Sequence, residues 1–220
     1  MKNNRLSLPD QKNFAYSYRL AYELAREQLG RVDIGKQCAS AGARYDSTTR
    51  PALINLDYLN QSYRITLPDV DIKPAESTAE VPISDKILIL HYMTLAKGVP
   101  LSGRLISFKE LPDAGSYFPT FAKRAIEPLV RAFAEEPGRL IATARMLGGI
   151  KADYGDGAVT ITAFPRVPVT LVLWRGDEEF PPRGSILFDS SISGYLMTYD
   201  IIVLCETIAW KLVKSLREEV

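Results

Sequence analysis

Ala158-Val159-Thr160-Ile161-Thr162-Ala163-Phe164 and Val169-Thr170-Leu171-Val172-Leu173-Trp174 are two runs rich in β-branched residues, separated by Pro165-Arg166-Val167-Pro168. Branching at Cβ favours extended backbone and the prolines punctuate it, so the stretch reads as a β-hairpin. A tight connection of this kind makes the pair antiparallel. Residues 185–188 and 104–108 read as further short strands. Upstream, residues 52–57 and 62–67 form a second hairpin pattern that turns at Asn60-Gln61. Residues 68–80 are dense in Pro, Asp, Glu, Ser and Thr and read as a surface connection.

Helical periodicity fills the intervals. Over residues 10–30, Phe14, Tyr18, Ala21, Tyr22, Ala25 and Leu29 recur at spacings of three and four, which predicts an N-terminal helix with an aromatic face packed on a sheet. Residues 34–40 predict a short helix stopped by Gly42. Residues 84–96 predict a buried, central helix: Ile87-Leu88-Ile89-Leu90 is apolar on every side, Ser84 is placed to cap it, and Gly98 and Pro100 end it. From 117 to 147 the pattern is helical with a break at Pro137-Gly138. A last helix over 198–218, capped by Thr198, carries Ile201, Leu204, Cys205, Ile208, Leu212 and Leu216 on one face. Strands in hairpin pairs with helices clustered between them predict an α+β fold. Its sheet is antiparallel or mixed, built from β-hairpins with helices packed on it, in a single domain over residues 1–220.

Composition narrows the function classes. With 27 Lys+Arg against 26 Asp+Glu there is no basic excess of the kind a phosphate-backbone binder shows, so nucleic acid is not expected as a partner. No stretch approaches the roughly 20 apolar residues that span a bilayer, and the polar start Met1-Lys2-Asn3-Asn4-Arg5 does not resemble a signal peptide. Two distant cysteines, Cys38 and Cys205, make no Cys-x-x-Cys pair, which argues against an iron–sulfur or zinc site built on cysteine spacing. A cytoplasmic protein with no membrane partner is the expectation.

His91 is the only histidine, on the most apolar helix. A neutral imidazole there can ligate a metal or a haem-like iron, or shuttle a proton; the plainer reading is a core histidine with both nitrogens hydrogen-bonded. The loop Trp174-Arg175-Gly176-Asp177-Glu178-Glu179-Phe180-Pro181 sets three consecutive carboxylates at a strand end, held between a glycine and a Pro-Pro pair. Such a cluster suits a divalent cation, a general acid or a basic partner, and equally a solvated turn whose carboxylates pair with Arg175 or Arg183. No Gly-x-Ser-x-Gly elbow, Walker or Gly-x-Gly-x-x-Gly pattern is present. Cys38 follows Lys36, which would favour a thiolate, although a small helix residue explains it as well.

Several of these stretches together resemble one family. They are Lys86-Ile87-Leu88-Ile89-Leu90-His91-Tyr92-Met93, Gly98-Val99-Pro100-Leu101-Ser102-Gly103, Ile106-Ser107-Phe108-Lys109-Glu110-Leu111, the acidic loop, and Leu187-Phe188-Asp189. Their combination is similar to the domain of unknown function 3786 family, from about Phe14 to the C-terminus. The resemblance implies an origin in anaerobic bacteria or archaea. It also implies relatives joined to a four-cysteine iron–sulfur module like that of corrinoid proteins, which this chain's two cysteines cannot supply.

The leading expectation is an accessory protein of anaerobic redox or one-carbon metabolism that binds a cofactor-like small molecule, of tetrapyrrole or corrinoid kind, or a redox partner protein. His91, Tyr92, Tyr117, Phe118 and Trp174 would line the site, and Asp177, Glu178 and Glu179 would anchor it. One alternative is an enzyme in which those carboxylates work with His91 in acid–base or metal-assisted chemistry. Another is a structural subunit whose acidic loop meets a basic partner. The sequence specifies neither a catalytic residue nor a metal site.

Overall fold

The structure, a computed structural model, describes residues 11–218, with side chains from residue 16 onward. Among them, nine strands form two antiparallel sheets. The first is a meander of β1 (Arg44–Asp46), β2 (Ala52–Tyr58), β3 (Gln61–Leu67) and β4 (Asp71–Pro74) in that order. Its register sets Ile54 opposite Ile65 and Ile65 opposite Ile72, so one face of the pleat is a continuous apolar row. The β2–β3 turn falls on Leu59-Asn60, one residue earlier than the sequence suggests. Both residues have positive φ, 49° and 62°, the backbone that a two-residue hairpin loop demands. β4 corrects the reading of residues 68–80 as a connection only: Ile72 and Pro74 are buried, while Asp71 and Lys73 face outward as an edge strand allows.

The second sheet has the order β5 (Leu105–Ser107), β9 (Arg183–Asp189), β8 (Val167–Trp174), β7 (Gly157–Phe164), β6 (Ile150–Ala152). The hairpin quoted at the outset is its centre, with Val169 opposite Ile161 and Thr170 opposite Thr160, whose hydroxyls bond at 2.8 Å. Almost every residue of β8 is buried, on both faces, because helices cover the sheet. The α+β class with antiparallel pairing is therefore what the hairpins dictate, realised in two sheets.

Seven α-helices accompany the sheets among the described residues: α1 (Gln11–Leu29), α2 (Ile34–Ala41), α3 (Ile83–Leu95), α4 (Ala114–Phe121), α5 (Glu127–Phe133), α6 (Pro137–Ala144) and α7 (Thr198–Glu218). Between α4 and α5 the backbone widens into a π turn over Ala122–Ile126. Pro128 has no N–H to return to the Arg124 carbonyl, so the ordinary four-residue bond is impossible there. α3 is the hub. Tyr92 is fully buried, stacks on Phe164 with ring centroids 4.2 Å apart, and Phe164 stacks on Tyr58, so one aromatic column joins α3 to both sheets. α1 packs along α3, not on a sheet, and reaches the meander at its β3–β4 turn, where the Tyr22 hydroxyl donates to the Val70 carbonyl and the Arg26 guanidinium to that of Asp69. The Phe14 side chain lies outside the described residues. Buried side chains from both sheets and all seven helices form one continuous hydrophobic cluster.

Two capping expectations change. α3 begins at Ile83 behind Pro82 and Ser84 does not cap it. Thr198 instead donates its hydroxyl to the Pro112 carbonyl. Among the described residues no helix is long and apolar enough to cross a membrane.

Candidate functional site

α3 presents Ser84, Ile87, Leu88 and His91, residues three and four apart, along one face. That face meets Ser17, Tyr18 and Ala21 of α1 and Tyr199, Asp200 and Val203 of α7, and between the three helices is a mainly apolar cavity of about 390 Å³. This volume is in the range of small-molecule sites, which pair apolar walls with a few convergent polar groups.

The convergent group here is a histidine–carboxylate pair. His91 Nδ1 and Asp200 Oδ1 are 2.8 Å apart, joining residues 109 positions distant in the chain. The Asp200 side chain is 5% exposed and that of His91 21%. A carboxylate only accepts, so Nδ1 is the donor and the neutral ring keeps its lone pair on Nε2. Asp200 is fixed from its other side as well. It occupies the first turn of α7, where the helix dipole favours an anion, and Oδ2 accepts the Met197 N–H at 3.3 Å, as the acidic member of a capping box does. The arrangement can hold an imidazole in one tautomer and one orientation at the wall of an apolar cavity. That is what a metal ligand or a general base requires.

The remaining sequence candidates are elsewhere. Tyr92 belongs to the core and donates its hydroxyl to the Ala41 carbonyl at 2.6 Å. Burial pushes that hydroxyl well above the usual tyrosine range. Tyr117 is exposed on α4; Phe118 contacts the Phe108 ring and carries Lys109 Nζ 4.3 Å from its centroid. Neither lines the His91 cavity.

The acidic loop lines a separate hollow of about 320 Å³, with Trp174, Asp177, Phe180 and Pro181, the Arg183 guanidinium being 5.0 Å from the indole. Asp177 closes the turn on itself: Oδ1 accepts the Glu179 and Phe180 N–H groups at 2.9 and 2.7 Å, and its own N–H donates to the Phe180 carbonyl. A Cβ on Gly176 would stand 2.8 Å from Pro182 Cδ, so the loop closes only over glycine. Glu178 and Glu179 are exposed. The carboxylate that reaches His91 is thus Asp200 and not this loop. Among the described residues no three His, Cys, Asp or Glu side chains converge as a metal site.

Three more side chains bear on function by their inertness. Burial pushes the Cys38 thiol up to about 11 and the Cys205 thiol higher still, so neither behaves as a thiolate near neutral pH. Asp189, 6% exposed, accepts four hydrogen bonds: from Ser102 N–H and Oγ, Gly103 N–H and Ser191 N–H, at 2.7–3.0 Å. Burial alone would raise its pKa, but the donors on Ser102, Ser191 and Gly103 outweigh it and hold the carboxyl far below the usual range. Tyr195 adds a hydrogen bond to the Val99 carbonyl, and Lys97 N–H one to Gly194. The Gly98–Gly103 and Leu187–Asp189 stretches, two of the blocks that carry the family resemblance, are therefore halves of one structural latch.

Fold and site define an α+β protein with a histidine–aspartate pair on a cavity between three helices. The chain belongs to the DUF3786 family, described as a domain of unknown function, whose profile matches residues 33–210. The match takes in α3 and the portion of α7 that bears Asp200, but begins after α1, later than the Phe14 start that the sequence resemblance suggests. No curated protein and no solved structure matches the chain.

Proposed function

We propose that this chain is a ligand-binding protein whose cavity between α1, α3 and α7 takes a largely apolar small molecule that meets His91 Nε2. The observation that supports this most is the pairing of His91 with the nearly buried Asp200 at an apolar cavity of small-molecule size. Within that class we favour a metal-centred tetrapyrrole, such as haem or a corrinoid, in an accessory role in anaerobic redox or one-carbon metabolism. A neutral imidazole is a regular ligand for such a metal, and a carboxylate on its other nitrogen would hold the ring in one orientation. Ile87, Leu88 and Val203 would pack the ligand's apolar body, and Tyr18 and Tyr199 offer aromatic faces to it.

A second reading has one observation in its favour. The same pair, with Asp200 orienting His91, is the arrangement a general base needs, so acid–base catalysis on a substrate in this cavity is its form.

The test is an absorbance titration of the purified protein with hemin and with a cobalamin-type corrinoid, in wild type and His91→Ala. The ligand-binding reading expects a saturable shift of the ligand's visible bands that His91→Ala abolishes. Identical spectra for both proteins, or no shift with either ligand, would overturn the tetrapyrrole assignment. A thermal shift with metal-free porphyrin separates loss of metal ligation from loss of the cavity.

A further inference from the structure

The face of α7 that borders the cavity continues beyond it: Glu206, Trp210, Val213 and Arg217 follow at alternating spacings of four and three, with Trp210 and Arg217 exposed and Val213 buried beneath them. Two hollows adjoin this stripe, of about 370 and 440 Å³, between α7 and the π turn with α5, and they share Lys123 and Trp210. Their floor is apolar, made of Pro128, Ala132, Val213 and Leu216. Trp210 stands between them 49% exposed, an unusual position for an indole on a helix.

Charge decides what this groove fits. Four cations border it, Lys123, Arg124, Arg131 and Arg217, against two carboxylates, Glu127 and Glu206. Both carboxylates are already engaged, Glu127 with Arg131 at 2.9 Å and Glu206 with Arg124 at 3.4 Å. Lys123 and Arg217 have no carboxylate within ion-pair distance among the described residues. Lys123 and Arg124 belong to the π turn, a helix irregularity often found at functional sites. A tryptophan ringed by arginines over an apolar floor has the composition of a protein-interface hot spot.

Shape decides between a small anion and a polypeptide. From Glu206 to Arg217 the stripe runs eleven residues, about 16 Å at the helical rise, which is three turns of a partner helix and more than a compact anion spans. We infer that the groove between α5 and α7 docks an acidic amphipathic helix of a partner protein. Its apolar stripe would lie on Trp210, Ala132 and Leu216, and its carboxylates would face Lys123 and Arg217. This surface is distinct from the His91 cavity, so the inference stands independently of the ligand proposed there.

The test uses the whole chain and two labelled amphipathic peptides that share a leucine stripe, one with glutamates and one with lysines on the polar face. Fluorescence anisotropy is expected to show saturable binding of the glutamate peptide, about tenfold or more tighter than the lysine peptide and weakened by salt. Lys123→Glu, a surface change that leaves the core untouched, is expected to reduce that affinity about tenfold, and Trp210→Ala further. Equal binding of both peptides, binding indifferent to Lys123→Glu, or no binding at all would overturn the inference. So would displacement of the peptide by free citrate at comparable concentration, which would mark a small-anion site.

Discussion

Asp189 and Asp200 are both nearly buried aspartates, 6% and 4% exposed, yet they do opposite things. Asp189 accepts four hydrogen bonds from backbone and hydroxyl donors: three come from Ser102 and Gly103 and close the fold around the Gly98–Gly103 loop, and the fourth, from the Ser191 N–H, caps the short helical turn that follows. Asp200 spends one oxygen on the start of its own helix and the other on an imidazole that still reaches a cavity. Burial of a charge alone therefore does not mark a site. What distinguishes the two is whether the partner group also lines a cavity, as His91 does and the donors to Asp189 do not.

The largest effect that comparison predicts is on stability. Asp189→Ala leaves the Ser102, Gly103 and Ser191 N–H groups without their acceptor, the last of them on a buried residue, and should cost about 2–3 kcal/mol in urea denaturation. Its pH dependence has a definite sign. A carboxyl held low in the native state contributes stability that is complete above the ordinary Asp value of about 3.9 and is lost as pH falls below it. Asp189→Asn should flatten that acid limb; an unchanged limb would show that the latch is not electrostatic.

Next in size is the effect of Asp200→Asn. An amide can still reach Nδ1, but it no longer enforces donation from it, so binding of a ligand at Nε2 should weaken about 10–100-fold while the melting temperature moves little. A large loss of stability with unchanged affinity would make Asp200 a second Asp189.

A third buried carboxyl sharpens the contrast with the opposite sign. Asp85 is 3% exposed, and burial pushes its carboxyl up, with Lys211 and the Tyr58 hydroxyl at 3.4 Å pulling the other way. A raised carboxyl favours the fold below its ordinary pKa, and that advantage disappears as pH rises through the raised value. Asp85→Asn should then leave the protein slightly more stable at pH 7, by up to about 1 kcal/mol, measured by the same denaturation. The smallest effect belongs to the acidic loop. Glu178→Gln with Glu179→Gln should change stability by less than about 0.5 kcal/mol, since both side chains are solvated, and should leave ligand affinity at the His91 cavity unchanged.

Much of the fold was readable because it rests on local pattern. The 158–174 hairpin, the all-apolar 87–90 run and the stripe of α7 each carry their period within a dozen residues. β4 was not readable, because Asp71-Ile72-Lys73-Pro74 resembles the Pro- and Asp-rich loop around it and becomes a strand only by pairing with β3. The site was half readable. His91 stood out by being alone, but its partner is 109 residues away and looks like an ordinary acid in the first turn of a helix. A signal was present: Asp200 precedes Leu204, Ile208 and Leu212 at a spacing of four, so it lies on the buried stripe of α7, where an aspartate needs a partner. The acidic loop drew attention through its charge density, which is a surface property once Asp177 caps its own turn. Tyr92 drew it through adjacency to His91, although neighbours in a helix point some 100° apart.

Nuclear magnetic resonance of the imidazole offers the most direct test, because His91 is the only histidine and its ring gives a single, unambiguous set of nitrogen signals. The account predicts that the free protein shows the Nδ1–H tautomer, with Nε2 bearing the lone pair, and that a ligand filling the cavity shifts Nε2 while leaving Nδ1 hydrogen-bonded to Asp200. An Nε2–H tautomer in the free protein, or ring nitrogens that do not respond when a ligand saturates the protein, would contradict it.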